Sequence, residues 1–88
     1  DGNADKTTRA RILNNLGRAN QALADHETAL DFFQESLSLY RETGSNSGQS
    51  MVLNNLAQSY CQTGDYRQAL AYYQHASEIY NAMGNRLG

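Results

Sequence analysis

The chain states the same pattern twice. Leu13-Asn14-Asn15-Leu16 returns as Leu53-Asn54-Asn55-Leu56, an offset of 40 residues. The same offset carries Asp25 onto Asp65, Ala29-Leu30 onto Ala69-Leu70, Phe33 onto Tyr73, Gln34 onto Gln74, Tyr40 onto Tyr80 and Gly44 onto Gly84. A fixed period of this length marks stacked supersecondary units, none of which buries its apolar face alone. Such a stack presents an extended surface, which points to binding other proteins.

Each copy reads as two helices. Ile12, Leu13, Leu16, Ala19, Ala22 and Leu23 recur at helical spacing and predict a first helix from about Thr8 to Ala24, capped by Thr7 or Thr8. Asp25 is the expected cap of a second helix, with Ala29, Leu30, Phe33, Leu37 and Tyr40 inward, ended by Gly44. A third helix is expected from about Gly48 to Thr63, with Val52, Leu53, Leu56, Ala57 and Tyr60 inward. In the fourth, Asp65-x-x-Gln68 fits a capping box, Ala69, Leu70, Tyr73, Ala76 and Tyr80 face inward, and Gly84 ends it near Met83. Short turns make paired helices antiparallel. Gly17 and Ala57 share a repeat position, as do Ala29 and Ala69, and small residues let helices approach closely. Asn20 replaces Tyr60, which predicts the first repeat to be the less stable.

Composition narrows the function. The chain has 88 residues, so folding hides roughly 60–65% of the surface exposed by the unfolded chain, and stability is modest. Proline is absent, so nothing but glycine interrupts the helices, and the chain reads as all-α. A net charge of −2 argues against nucleic acid or an anionic membrane as partner. No apolar run approaches the roughly 20 residues of a bilayer span, and no secretory leader is expected. Cys61 is the single cysteine, which excludes an internal disulfide or a zinc set and suits a reducing, cytoplasmic setting. His26 and His75 fall at different repeat positions, without a ligand constellation, so no metal or other cofactor is expected. With no phosphate loop and no Ser-His-Asp signature, the chain is not expected to be an enzyme.

Leu16-Gly17 followed by Ala29 and Phe33, and Leu56-Ala57 followed by Tyr60, Gly64, Ala69 and Tyr73, resemble the tetratricopeptide repeat. The common period there is 34 residues, whereas 40 resembles the longer-helix subgroup of LGN-type spindle-orientation scaffolds and lies near that of kinesin light chains. The departures are Leu13 and Leu53 in place of Trp, Asn20 in place of an aromatic, and no proline after the second helix. The resemblance implies an all-α, right-handed solenoid fragment of two stacked helix-turn-helix repeats. Repeat 1 spans about 8–44, repeat 2 about 48–84, and 84–88 reads as the entry to a further repeat.

The face of each first helix opposite its apolar stripe is the candidate site. It carries Arg11, Asn14, Asn15, Arg18 and Gln21 in the first copy, and Met51, Asn54, Asn55, Gln58 and Gln62 in the second. Asn costs about 0.6 kcal/mol per residue in a helix, so two mid-helix pairs cost about 2 kcal/mol that something should offset. Asn carries both donor and acceptor and can hold a peptide backbone. The resemblance implies that Asn15 and Asn55 do this in a concave groove. Arg11 and Arg18 would favour acidic side chains on the peptide. Alternatively, one Asn of each pair bonds a neighbouring helix and stabilises the stack. On the groove reading, replacing Asn15 and Asn55 by Ala weakens ligand binding and leaves the fold intact.

The leading function is a non-enzymatic scaffold that binds an extended peptide. One alternative is a self-assembling module that pairs an uncovered face carrying Leu70, Tyr73 and Ile79, or swaps repeats through Gly44-Ser45-Asn46-Ser47-Gly48. Another is the sensor fragment of a larger regulator.

Overall fold

Left-handed backbone recurs every twenty residues, at Ala24 (φ 64°), Gly44 (φ 73°) and Gly64 (φ 87°). At each of these points a helix stops. The amide of the next residue donates back five positions: Asp25 to Asn20 O (2.9 Å), Ser45 to Tyr40 O (3.0 Å) and Asp65 to Tyr60 O (2.8 Å). This bond satisfies a carbonyl that the helix leaves orphaned. The following residue then caps the next helix. Asp25 Oδ1 accepts from the Thr28 amide, Ser45 Oγ from the Gly48 amide and Asp65 Oδ1 from the Gln68 amide, at 3.3, 3.1 and 3.3 Å. The expected capping box is half made, because the Asp65 amide is spent on Tyr60 O instead of the Gln68 side chain.

The structure is a computed structural model. It describes the backbone of residues 2–87 and, within them, the side chains of all but residues 3, 4 and 85–87. Four helices follow in order: α1 Gly2–Ala22, α2 His26–Thr43, α3 Asn46–Gln62 and α4 Tyr66–Leu87. Links of two or three residues force neighbours to run antiparallel. The result is a flat slab of 36 × 30 × 15 Å. α1 packs on α2, α3 on α4, and the two pairs join through α2 and α3.

Two helix ends differ from expectation. α1 begins at Gly2, six residues before Thr8, with Asp5 in its first turn where a carboxylate complements the helix dipole. α4 runs through Gly84 to Leu87. Gly84 is not among the left-handed glycines. No fifth helix among the described residues folds back on α4 there, as α3 does on α2 after Gly44.

The core lies between the pairs. Phe33, Leu37 and Tyr40 of α2 pack with Val52, Leu53 and Leu56 of α3, joined by Ala10, Ala29 and Ala76. Glycine permits the closest approaches. A Cβ on Gly17 would lie 2.5 Å from Cε1 of Phe33, and a Cβ on Gly48 would lie 2.6 Å from Cγ of Tyr40. Ser36 Oγ donates to the buried Ala10 carbonyl at 2.7 Å. In the second pair Tyr60 and Tyr72 stack with ring centroids 5.5 Å apart. Burial, followed by the neighbouring Tyr72 and Asp65, pushes the Tyr60 hydroxyl above its usual range.

The expected inward stripes of α2 and α3 are inward. Those of α1 and α4 are only partly so. In α1 the inward positions are Ala10, Leu13, Asn14 and Gly17, while Ile12, Leu16, Ala19, Ala22 and Leu23 are exposed. In α4 Ala69 and Ala76 are buried, Tyr72 and Ile79 pack on the core, and Leu70, Tyr73 and Tyr80 are exposed. The physical reason is position in the stack. An inner helix touches two neighbours and buries a broad stripe. An outer helix packs broadly on one, α1 meeting α3 only along its front edge, and leaves half of that stripe bare.

Ala24 adopts the conformation that glycine supplies at Gly44 and Gly64. A left-handed L-residue costs roughly 1–2 kcal/mol, and the added freedom of the unfolded glycine chain returns about 0.4–1 kcal/mol of that. Ala24→Gly is therefore expected to stabilise the fold by about 0.5–1 kcal/mol, read as a raised urea midpoint at constant slope.

Candidate functional site

α1 and α3 lie side by side because α2 and α4 stand behind them. Amide side chains bridge the two front helices. Asn55 Nδ2 donates to Asn14 Oδ1 at 2.8 Å. Gln21 Nε2 donates to Ser59 Oγ at 2.8 Å and to the Asn55 carbonyl at 3.3 Å. Asn14 and Ser59 are buried. A buried polar group costs free energy unless it is paired, so these bonds fix how far α1 can slide along α3.

In front of this bridge is an open groove of about 910 Å³. α1 supplies Asn15, Arg18, Ala19, Gln21 and Ala22 to its wall. α3 supplies Ser47, Met51, Asn54, Asn55, Gln58 and Gln62, and Tyr80 of α4 closes one edge. Six of the eight expected site residues are therefore brought together: Asn15, Arg18, Asn54, Asn55, Gln58 and Gln62. Arg11 is exposed one turn before Asn15 and does not line the groove. Asn14 turns into the interior as the partner of Asn55.

The two Asn pairs thus divide their work. Asn14 looks forward to the next first helix, and Asn55 looks back to the previous one. Asn15 and Asn54 are the same two positions without that neighbour. Asn15 is exposed and Asn54 half-buried. The sequence shows two equivalent pairs, but only the stack makes one asparagine of each structural.

Among the described residues Arg18 is the one charged side chain in the groove wall. Around it the wall is neutral amide, with Met51 and Tyr80 as apolar contacts. Ser47, Ala19, Ala22 and Tyr80 were not expected there. Ala22 and Tyr80 belong to the stripes that the outer helices leave bare, which is why periodicity placed them inside. Among the described residues no group of His, Cys, Asp and Glu could hold a metal ion, and no helix is long and apolar enough to cross a membrane.

Two helix hairpins in a 40-residue register, small residues at the helix contacts and a polar front wall point to one family. The family model for the tetratricopeptide repeat matches residues 8–82. The chain belongs to the tetratricopeptide repeat family. No curated protein sequence matches it. Tetratricopeptide repeats serve generally as protein–protein interaction modules.

The bridge separates the two asparagines that the sequence treats alike. Asn55→Ala leaves the buried Asn14 carbonyl without its donor, a loss of about 1–3 kcal/mol offset by about 0.6 kcal/mol of helix propensity. Among the described residues the Asn15 side chain makes no hydrogen bond, so Asn15→Ala gains that propensity alone. Thermal melts of the two variants should therefore shift in opposite directions, Asn55→Ala down and Asn15→Ala slightly up. The sequence alone leads to a fold intact or slightly more stable after both replacements; the Asn55–Asn14 bond gives Asn55→Ala a cost that the sequence does not show. Equal shifts would mean that the bridge carries no stability.

Proposed function

We propose that this repeat pair binds an extended peptide segment of a partner protein, laid across α1 and α3. The supporting observation is the composition of the groove. The hydrogen bonds on this wall occupy Asn14, Gln21, Asn55 and Ser59. Among the described residues, Asn15, Arg18, Asn54, Gln58 and Gln62 keep their side chains unspent. Each amide offers a donor and an acceptor, the complement of one peptide unit. Packed helices stand about 8–10 Å apart, and three extended residues cover that distance. Each first helix would therefore hold one three-residue segment through its backbone.

Arg18 sets the side-chain preference. A guanidinium grips a carboxylate through two parallel bonds. An acidic residue opposite α1 is the complement, and Met51 supports an apolar residue opposite α3. The partner is thus an extended segment with an acidic position followed, one helix on, by an apolar one.

An array of extended peptides with this spacing, followed by fluorescence-anisotropy titration of the tightest binder, tests the reading. Arg18→Gln is expected to weaken binding by about 1.5–3 kcal/mol and to remove most of its salt dependence. Gln58→Ala should weaken it by about 1 kcal/mol. A binder that ignores both changes yet responds to Glu35→Lys, on the exposed face of α2, would move the interaction off the groove.

A further inference from the structure

The bridge between α1 and α3 fixes which end of its amides the groove sees. Gln21 Nε2 donates to the Asn55 main-chain carbonyl at 3.3 Å and to Ser59 Oγ at 2.8 Å. A main-chain carbonyl only accepts, so the nitrogen end of this amide must be the one that faces α3. The two bonds occupy both of its N–H groups. What Gln21 keeps is its oxygen. Asn55 is placed similarly. Its Nδ2 donates to Asn14 Oδ1 at 2.8 Å, and its own Oδ1 accepts no bond among the described residues.

Neither oxygen is shut inside the protein. Among the described residues, the buried side-chain nitrogen and oxygen atoms without a partner are His26 Nδ1 and Ser50 Oγ. The unpartnered oxygens of Gln21 and Asn55 are therefore within reach of solvent, and both residues line the groove. They differ from the other amides of that wall. Asn15, Asn54, Gln58 and Gln62 can turn about the last side-chain bond and offer either end to a ligand. Gln21 and Asn55 cannot turn without breaking the bridge. The seam between α1 and α3 is thus a fixed pair of acceptors in a wall that otherwise adapts.

Chemistry narrows what fits such a pair. A carboxylate or carbonyl would set oxygen against oxygen. An ammonium or guanidinium would leave water with no carboxylate among the described lining residues to pair with, and with Arg18 one turn from Gln21. A hydroxyl has one donor for two oxygens. A primary amide has two N–H donors on a neutral plane, and its own oxygen can accept from Arg18 or from an amide free to turn.

We infer, on the extended-peptide reading above, that Gln21 and Asn55 form a subsite for a side-chain amide. The bound segment then carries Asn or Gln at one of the two positions between its acidic and its apolar residue. Gln21 joins the two front helices and also selects the ligand.

An immobilised library of acetyl-Gly-Gly-Asp-X-X-Leu-Gly-Gly-amide peptides, with both X positions varied, probes the subsite on the whole chain. Retained peptides should be enriched in Asn or Gln at one X and depleted in Asp and Glu there. The tightest amide peptide is then compared with its counterpart carrying Leu at that X, on the unsubstituted chain and on Gln21→Met, with circular dichroism as the check on folding. The unsubstituted chain should prefer the amide peptide about tenfold, and Gln21→Met should abolish the preference. If Gln21 only sets α1 against α3, Gln21→Met weakens both peptides equally and keeps the preference, which overturns the inference. A second measurement needs no variant. The amide peptide should shift the NMR signal of the Gln21 side-chain carbonyl carbon more than the Leu counterpart does, and equal shifts overturn the inference as well. Binding with no amide preference at either X overturns the subsite and leaves the peptide groove standing. A chain that retains no peptide of the library overturns both.

Discussion

The contact on which the other features depend is an aromatic ring lying on a glycine, made twice. Phe33 lies on Gly17 within the first hairpin, and Tyr40 lies on Gly48 between the hairpins. A ring is rigid, and a buried ring has nowhere to swing. With no Cβ in the way, the backbone of α1 comes up to α2, and that of α3 comes up to α2 from the other side. Only at that spacing do α1 and α3 lie close enough for Asn14 and Asn55 to meet at 2.8 Å. The groove is the front of that meeting. Its width follows from packing behind it, through side chains that no ligand would touch. The contact also shortens the corner between the repeats. Only Gly44 and Ser45 remain as link, because Asn46–Gly48 already belong to α3.

Much of the fold was legible because the sequence repeats its punctuation. The aspartates at 25 and 65 mark caps, and Gly44 and Gly64 mark stops. The stripes of α2 and α3 were legible because both sides of those helices are covered. The errors fall on the outer helices. Ile12, Leu16, Leu70, Tyr73 and Tyr80 have the spacing of core residues, since in an inner helix they would be core. Periodicity reports which residues share a face. It does not report whether a neighbour exists to cover that face. Likewise Gly84 repeats Gly44 in sequence, but it lies within α4 and is not left-handed.

The site was legible in kind and less so in detail. Asparagine, a poor helix former, on the polar face of α1 and α3 signalled that those positions hold something, and three of the four asparagines do line one groove. What the pattern did not separate was duty within each pair. Asn55 spends its donor on Asn14, whereas Asn15 spends nothing among the described residues. That difference is set by which helix stands next to which, information carried by the stack and not by either copy alone.

The sign of one substitution tests this account most directly. In a helix with open space around it, Gly→Ala gains up to about 1 kcal/mol. Against a fixed ring the same methyl overpacks, at a cost of about 1–3 kcal/mol. Urea unfolding of Gly48→Ala decides which applies. The account predicts a lower midpoint with an unchanged slope, because the new Cβ would stand 2.6 Å from Cγ of Tyr40. A midpoint equal to or above that of the unsubstituted protein would contradict it, and would mean that Tyr40 does not lie on Gly48 and that the repeats are not held together there.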